Sequence, residues 1–190
     1  EVLKDMPNSS IIADVKASQN LFNEIKRLGG IPVMWKTGHS FIKSKMKEIS
    51  SPLAGEMSGH IFFSDRYYGY DDGIYAALRV LELIDDKYTL DNFIESLPKT
   101  FSTQEIKIKC SDDKKFEIIE QLSSILEKEG FEINKVDGIR IQKKDGWWLL
   151  RASNTQAVLV ARLEADTKKK LNNLKKELSF FLNKFNLSLT

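Results

Sequence analysis

Ser10-Ile11-Ile12-Ala13-Asp14-Val15, then Ile31-Pro32-Val33-Met34-Trp35, then Pro52-Leu53-Ala54-Gly55-Glu56 decide the fold of the first half of this chain. Each is a short apolar run of the kind a buried strand shows. Pro32 lies near the start of its run, where a missing N–H does least damage. Helix-period segments separate the runs. Ser18 is placed to cap one with apolar positions Leu21, Phe22, Ile25 and Leu28, and Gly29-Gly30 stops it. Ser40 reads as the cap of a second, which carries Ile42, Met46 and Ile49. His60-Ile61-Phe62-Phe63 is a fourth strand candidate. Asp71 and Asp72 favour the N-terminus of a third helix through its dipole, with Ile74, Leu78 and Leu81 as the buried stripe. This alternation predicts an α/β/α layered domain with right-handed crossovers and a mostly parallel sheet.

From about Leu97 the order changes. Gln104 to Cys110 alternates polar and apolar, as a half-exposed strand does. Asp112 or Asp113 starts a helix through Phe116, Ile119, Leu122 and Leu126 that ends at Gly130. Strands are expected at Gly138–Ile141, Trp147–Leu150 and Val158–Leu163, with Asp145-Gly146 as a turn between the first two. Trp147-Trp148 reads as one face of a strand pair in the core. Thr167 opens a last helix with Leu171, Leu174, Leu178, Phe181, Leu182 and Phe185 on one face. The second half is therefore α+β, a smaller domain with an antiparallel sheet packed against two helices. The expected division is residues 1–98 and 99–190, around Pro98.

Composition narrows the function classes. The 190 residues carry 29 Lys+Arg against 27 Asp+Glu, a formal net charge of +2 that argues against a dedicated nucleic-acid binder. A single cysteine, Cys110, excludes an intramolecular disulfide and a cysteine-cluster zinc site. No apolar run approaches the roughly 18–20 residues needed to span a bilayer, and no secretory signal is visible. These features suggest a cytoplasmic protein without membrane or nucleic-acid partners. The chain begins at Glu1, which reads as the cut edge of something longer. There is no G-x-G-x-x-G, no G-x-x-x-x-G-K-[ST], no H-E-x-x-H and no EF-hand pattern, and no metal cage is evident.

What remains is positional. Ligands of open parallel sheets bind off the carboxyl ends of the strands. The first strand runs out into Lys16, the second into Lys36-Thr37-Gly38-His39 and the third into Glu56-Met57-Ser58-Gly59-His60. Cations, two imidazoles, a carboxylate and a hydroxyl on one edge suit a phosphorylated, polyhydroxylic ligand. A second cluster, Arg151-Ala152-Ser153-Asn154-Thr155, lies between two apolar strands. Arginine offers a planar fork for phosphate, and Ser, Asn and Thr in a tight connection add donors.

Gly55 to Phe63, Asp71-Asp72-Gly73-Ile74-Tyr75 and Arg151 to Thr155, together with Asp14-Val15-Lys16 and Trp35 to Ser40, resemble the α-D-phosphohexomutase family, in its phosphomannomutase/phosphoglucomutase branch. The resemblance implies the third and fourth of four domains. It implies transfer of a phosphoryl group between O1 and O6 of a hexose through a phosphoserine and a hexose 1,6-bisphosphate. The phosphoserine loop and the Mg2+ loop belong to the family's first two domains, so the resemblance implies that this chain alone is inactive. By the same resemblance Glu56 and Ser58 bind sugar hydroxyls, and Lys16, His39 and His60 line the cleft. His60 would assist proton transfer, and Arg151, Ser153, Asn154 and Thr155 would grip the non-reacting phosphate. The implied ligands are glucose and mannose 1- and 6-phosphates, and the implied partner is the remaining N-terminal half. Met57 and Asn154 favour this branch over phosphoglucosamine mutase, and Ala157 stands where a proline commonly follows the phosphate loop. The alternatives are a phosphoglucosamine mutase fragment or a non-catalytic sugar-phosphate-binding module.

Overall fold

The computed structural model describes residues 1–84 and 90–189. The chain forms two compact units, Glu1–Pro98 and Lys99–Thr190. In the first, α1 (Val2–Asp5) precedes β1 (Ser10–Asp14), α2 (Gln19–Arg27), β2 (Ile31–Trp35), α3 (His39–Ile49) and β3 (Leu53–Gly55). β4 (Ile61–Phe63), α4 (Gly73–Leu81) and α5 (Leu90–Ser96) complete it. The sheet order is β2-β1-β3-β4. β1 runs parallel to both β2 and β3, and only β4 is antiparallel.

Consecutive strand residues point to opposite faces, so a central strand covered on both sides must be apolar throughout. β1 shows this directly. Ile12 packs with Ala54, Phe62 and the α3 residues Ile42 and Met46. Its neighbour Ile11 packs on the other face with Ile25 of α2 and Ala76 of α4. The outcome is the expected α/β/α layering.

Two local expectations are corrected. The α4 positions Ile74, Leu78 and Leu81 are 79%, 56% and 61% exposed, and the face α4 buries carries Ala76 and Arg79. The cause is an ion pair the apolar spacing does not register. The Arg79 guanidinium makes two bonds of 2.7 Å to the two Asp65 carboxylate oxygens and lies 4.3 Å from the Phe63 ring centroid. A bidentate, ring-stacked arginine is satisfied inside, and it rotates the helix to suit itself. The Asp65 bonds push the Arg79 pKa further up. The second correction is at α3, which begins at His39 with Gly38 as N-cap, so Ser40 lies within the first turn and does not cap it.

The second unit contains β5 (Phe101–Ser102), β6 (Ile106–Lys109), α6 (Asp112–Lys128), β7 (Ile139–Lys143), β8 (Gly146–Ala152), β9 (Val158–Ala165) and α7 (Lys168–Asn183). All pairings are antiparallel. β9 pairs with β8 on one side and with both β5 and β6 on the other, and β7 closes the far edge. Leu122 and Leu126 of α6 and Leu171, Leu174, Leu178, Phe181 and Leu182 of α7 share one core with Ile139, Ile141, Trp148, Leu150, Ala161 and Leu163. Phe116, expected on the buried face of α6, is exposed. Trp147 and Trp148 are both fully buried, but as strand neighbours they cannot share a face. Trp148 joins the helix-covered core, whereas Trp147 lies under the Arg140 guanidinium, 3.8 Å from its ring centroid.

Candidate functional site

The three parallel strands of the first unit end level with one another, with Asp14 opposite Trp35 and Ala13 opposite Gly55. The segments that leave them therefore meet on one edge. Asp14, whose side chain is fully buried, ties that edge together. Its Oδ2 accepts from the Thr37 hydroxyl at 3.2 Å and lies 3.7 Å from Lys16 Nζ. Its Oδ1 accepts from the Met57 N–H at 3.2 Å. Lys16 is itself buried, its ammonium turned toward this carboxylate.

Burial pushes the Asp14 carboxyl up, against the lowering effects of Lys16 and the Met57 N–H. Between the ordinary carboxylate value and this raised one the native state holds the extra proton. Lowering the pH through that window therefore increases stability, and raising it decreases stability. Asp65 acts in the opposite sense: despite burial, the Arg79 bond holds it down, so its contribution is lost as pH falls through its depressed value. Asp14→Asn should abolish the gain above the unfolded carboxylate pKa of about 4. Urea midpoints of wild type and variant between neutral and mildly acidic pH check this, and parallel profiles would contradict it.

Glu56 follows β3, and its Oε1 accepts from the Gly38 N–H at 2.8 Å. Ser58 donates its hydroxyl to Glu56 Oε2 at 3.1 Å. Gly38 has φ of 130°, a conformation that bulkier residues rarely adopt, and this aims its N–H at the carboxylate. The turn is closed by Glu56 N–H to His60 carbonyl and Gly59 N–H to Glu56 carbonyl bonds, both 2.9 Å.

The two imidazoles meet here. The His39 and His60 ring centroids are 4.2 Å apart in an edge-on arrangement, and His39 packs its ring against Phe62. His60 Nδ1 lies 2.8 Å from Asp71 Oδ2, and His39 Nε2 lies 3.5 Å from the same oxygen. Asp71 is pinned by its antiparallel bridge to Phe62. Of the expected Asp71-Asp72 pair only Asp72 caps α4, accepting from the Tyr75 N–H at 2.9 Å. That bond and the Tyr67 hydroxyl hold its carboxyl below the usual range.

Lys16, His39, Glu56, Ser58 and His60 thus all belong to one edge of the first unit. Asp14 and Asp71, which organise them, were not among the expected site residues. The sequence signal for Asp71 was its acidity beside a helix start, which has two explanations at once.

The Arg151 cluster lies in the second unit, at the β8–β9 connection. Arg151 and Ser153 are buried, and Asn154 and Thr155 stand exposed at the tip. Arg151 Nε donates to Asp137 Oδ2 at 2.9 Å. Ser153 Oγ accepts from the Thr155 and Gln156 N–H groups at 3.4 and 3.2 Å, so this hydroxyl shapes the loop from within. Buried Lys115 braces it, donating to the Gln156 carbonyl at 3.0 Å and to Asp112 at 2.6 Å. Neither Lys115 nor Asp137 carries a local sequence signature for this role. Cys110 packs against the core edge and burial pushes its thiol up, as suits a structural residue.

Residues 1–101 match the family model described as phosphoglucomutase/phosphomannomutase, alpha/beta/alpha domain III, and residues 105–179 match its C-terminal domain. The chain belongs to the phosphoglucomutase/phosphomannomutase family. A phosphomannomutase/phosphoglucomutase of Pseudomonas aeruginosa is 47% identical over 176 residues, covering 92% of this chain and 38% of its own length. A solved phosphoglucomutase/phosphomannomutase family protein from Burkholderia thailandensis is 39% identical, with a TM-score of 0.85 over 95% of this chain and 38% of that one. The N-acetylphosphoglucosamine mutase of Aspergillus fumigatus, solved with GlcNAc-6P and magnesium, shares the fold at 14% identity and a TM-score of 0.63, covering 95% and 40%. The chain thus spans about two fifths of the length of the Pseudomonas and Burkholderia relatives it matches. Among the described residues no helix is long and apolar enough to cross a membrane.

Proposed function

We propose that this chain is the sugar- and phosphate-recognising part of a mutase that interconverts hexose 1-phosphates and hexose 6-phosphates. One observation carries the reading: the Glu56–Ser58 turn is clamped to Gly38 beside a His39–His60–Asp71 cluster. A carboxylate and hydroxyl held in fixed geometry recognise vicinal sugar hydroxyls, and an imidazole next to them serves the proton of the reacting hydroxyl. In the tautomer whose Nδ1–H donates to Asp71, His60 presents Nε2 as the acceptor. Glu56 and Ser58 hold O3 and O4 of the sugar, which leaves O2 unread and admits glucose and mannose alike. Lys16 adds positive charge at the same edge, and His39 a second imidazole beside His60. Arg151, Ser153, Asn154 and Thr155 hold the remote phosphate, whose binding energy serves the reacting end.

Mg2+ does not fit the metal-ligating group found among the described residues. Among the described residues the group able to hold a metal is His39, His60 and Asp71, and Mg2+ favours an oxygen shell over imidazole. The magnesium and phosphoserine loops and the bisphosphate intermediate are assigned to the complete enzyme, and the chain by itself is expected to turn over no substrate.

Calorimetric titration with glucose 1-phosphate tests recognition directly. The chain should bind, and Glu56→Gln and Arg151→Ala should each weaken binding about tenfold or more, as loss of a charged hydrogen-bond partner does. Binding that both variants leave unchanged would overturn the assignment.

A further inference from the structure

We propose that His39, His60 and Asp71 form a binding site for one borderline transition-metal dication, with Zn2+ the representative species. One ligand atom from each residue lies within 4.8 Å of the others. Two of the three separations, 2.8 Å from His60 Nδ1 to Asp71 Oδ2 and 3.5 Å from His39 Nε2 to Asp71 Oδ2, are already close to ligation geometry. A metal about 2.0–2.1 Å from each ligand sets them roughly 2.9–3.4 Å apart, so only a small closure of the imidazole pair is needed.

The donor set is selective. Two imidazoles and one carboxylate suit Zn2+, Cu2+ or Ni2+ and disfavour Mg2+ and Ca2+. The three ligands stand on separately anchored pieces of backbone. His39 is the first residue of α3, His60 closes the Glu56 turn, and Asp71 is bridged to Phe62. Such anchoring lowers the ordering cost of assembling a site. All three remain open to solvent, with side chains 44%, 43% and 24% exposed, so an ion and its waters can enter.

The metal site stands on geometry alone; its consequence rests on the proposed function. A dication ligated by His60 Nδ1 leaves the ring's one proton on Nε2, so that nitrogen no longer accepts from the sugar hydroxyl and the ion acts as a reversible inhibitor.

Titration of the 190-residue chain with ZnCl2 in a non-chelating buffer tests the site without any sugar. One equivalent should bind, with affinity lost about tenfold or more in His39→Ala, His60→Ala and Asp71→Asn and retained in Cys110→Ser. Equal binding by all four variants would overturn the proposal. The chain holds 2 histidines, so a readout in the wild type is also available. Substoichiometric Cu2+ should broaden both imidazole proton resonances, whereas Mg2+ should move neither. Broadening of only one, or of neither, would also overturn it. Zinc binding with intact sugar binding in Glu56→Gln would instead count against the sugar assignment alone.

Discussion

Gly138→Ala should lower the stability of the second unit by about 3 kcal/mol or more, displacing its thermal midpoint by more than about 10 °C. Gly138 has φ of 85°, and an added Cβ would stand 2.5 Å from the Leu150 carbonyl oxygen and 2.7 Å from Arg151 Cα. Both neighbours are backbone of β8, an interior strand paired with β7 and β9, so no side chain can rotate away. Left-handed backbone costs a β-carbon-bearing residue about 1–2 kcal/mol, and the clash adds an overpacking cost of similar size. The close approach also sets the Arg151 backbone beside Asp137, the carboxylate that holds its guanidinium. Any variant molecules that fold should therefore bind glucose 1-phosphate more weakly as well. Differential scanning calorimetry checks the first effect, and a midpoint within a few degrees of wild type would contradict it.

The second large effect concerns turnover of the complete enzyme. His60→Ala should reduce kcat about 10²–10⁴-fold, the usual worth of a positioned acid or base. Asp71→Asn should reduce kcat less, leave KM for glucose 1-phosphate near its original value and alter the pH profile, because it disturbs the orientation of the imidazoles, His60 above all. A coupled assay over a pH series distinguishes the two. Retention by His60→Ala of more than about a tenth of the wild-type kcat would remove His60 from proton transfer.

Much of the architecture was legible because it is written in local periodicity. The apolar run at Ile11–Ala13 announces a strand covered on both faces, and α2 and α3 do cover it. The Thr167 cap and the leucine stripe of α7 are equally direct, with Thr167 Oγ accepting from the Lys170 N–H. The α4 face was misread because a satisfied arginine outweighs three aliphatic positions, and the partner, Asp65, lies in a different segment. The candidate site divides along the same line. Lys16, His39, Glu56, Ser58 and His60 follow strands and could be placed by topology. Asp14, Asp71, Lys115 and Asp137 act through partners far off in sequence, and no spacing rule encodes a carboxylate's choice between capping a helix and holding a histidine.

The buried tryptophan pair has a practical consequence. Of 3 tryptophans in the chain, Trp147 and Trp148 sit in the dry interior of the second unit, each donating its indole N–H to a glutamate, Glu164 and Glu177. Trp35, in the first unit, is half-buried with the Lys45 ammonium 4.4 Å from its ring centroid. Intrinsic emission is therefore weighted toward one unit. Its red shift reports the melting of the second unit, and a Trp35→Phe background makes that signal exclusive. The native indoles thus give a label-free optical record of which half of the chain opens first.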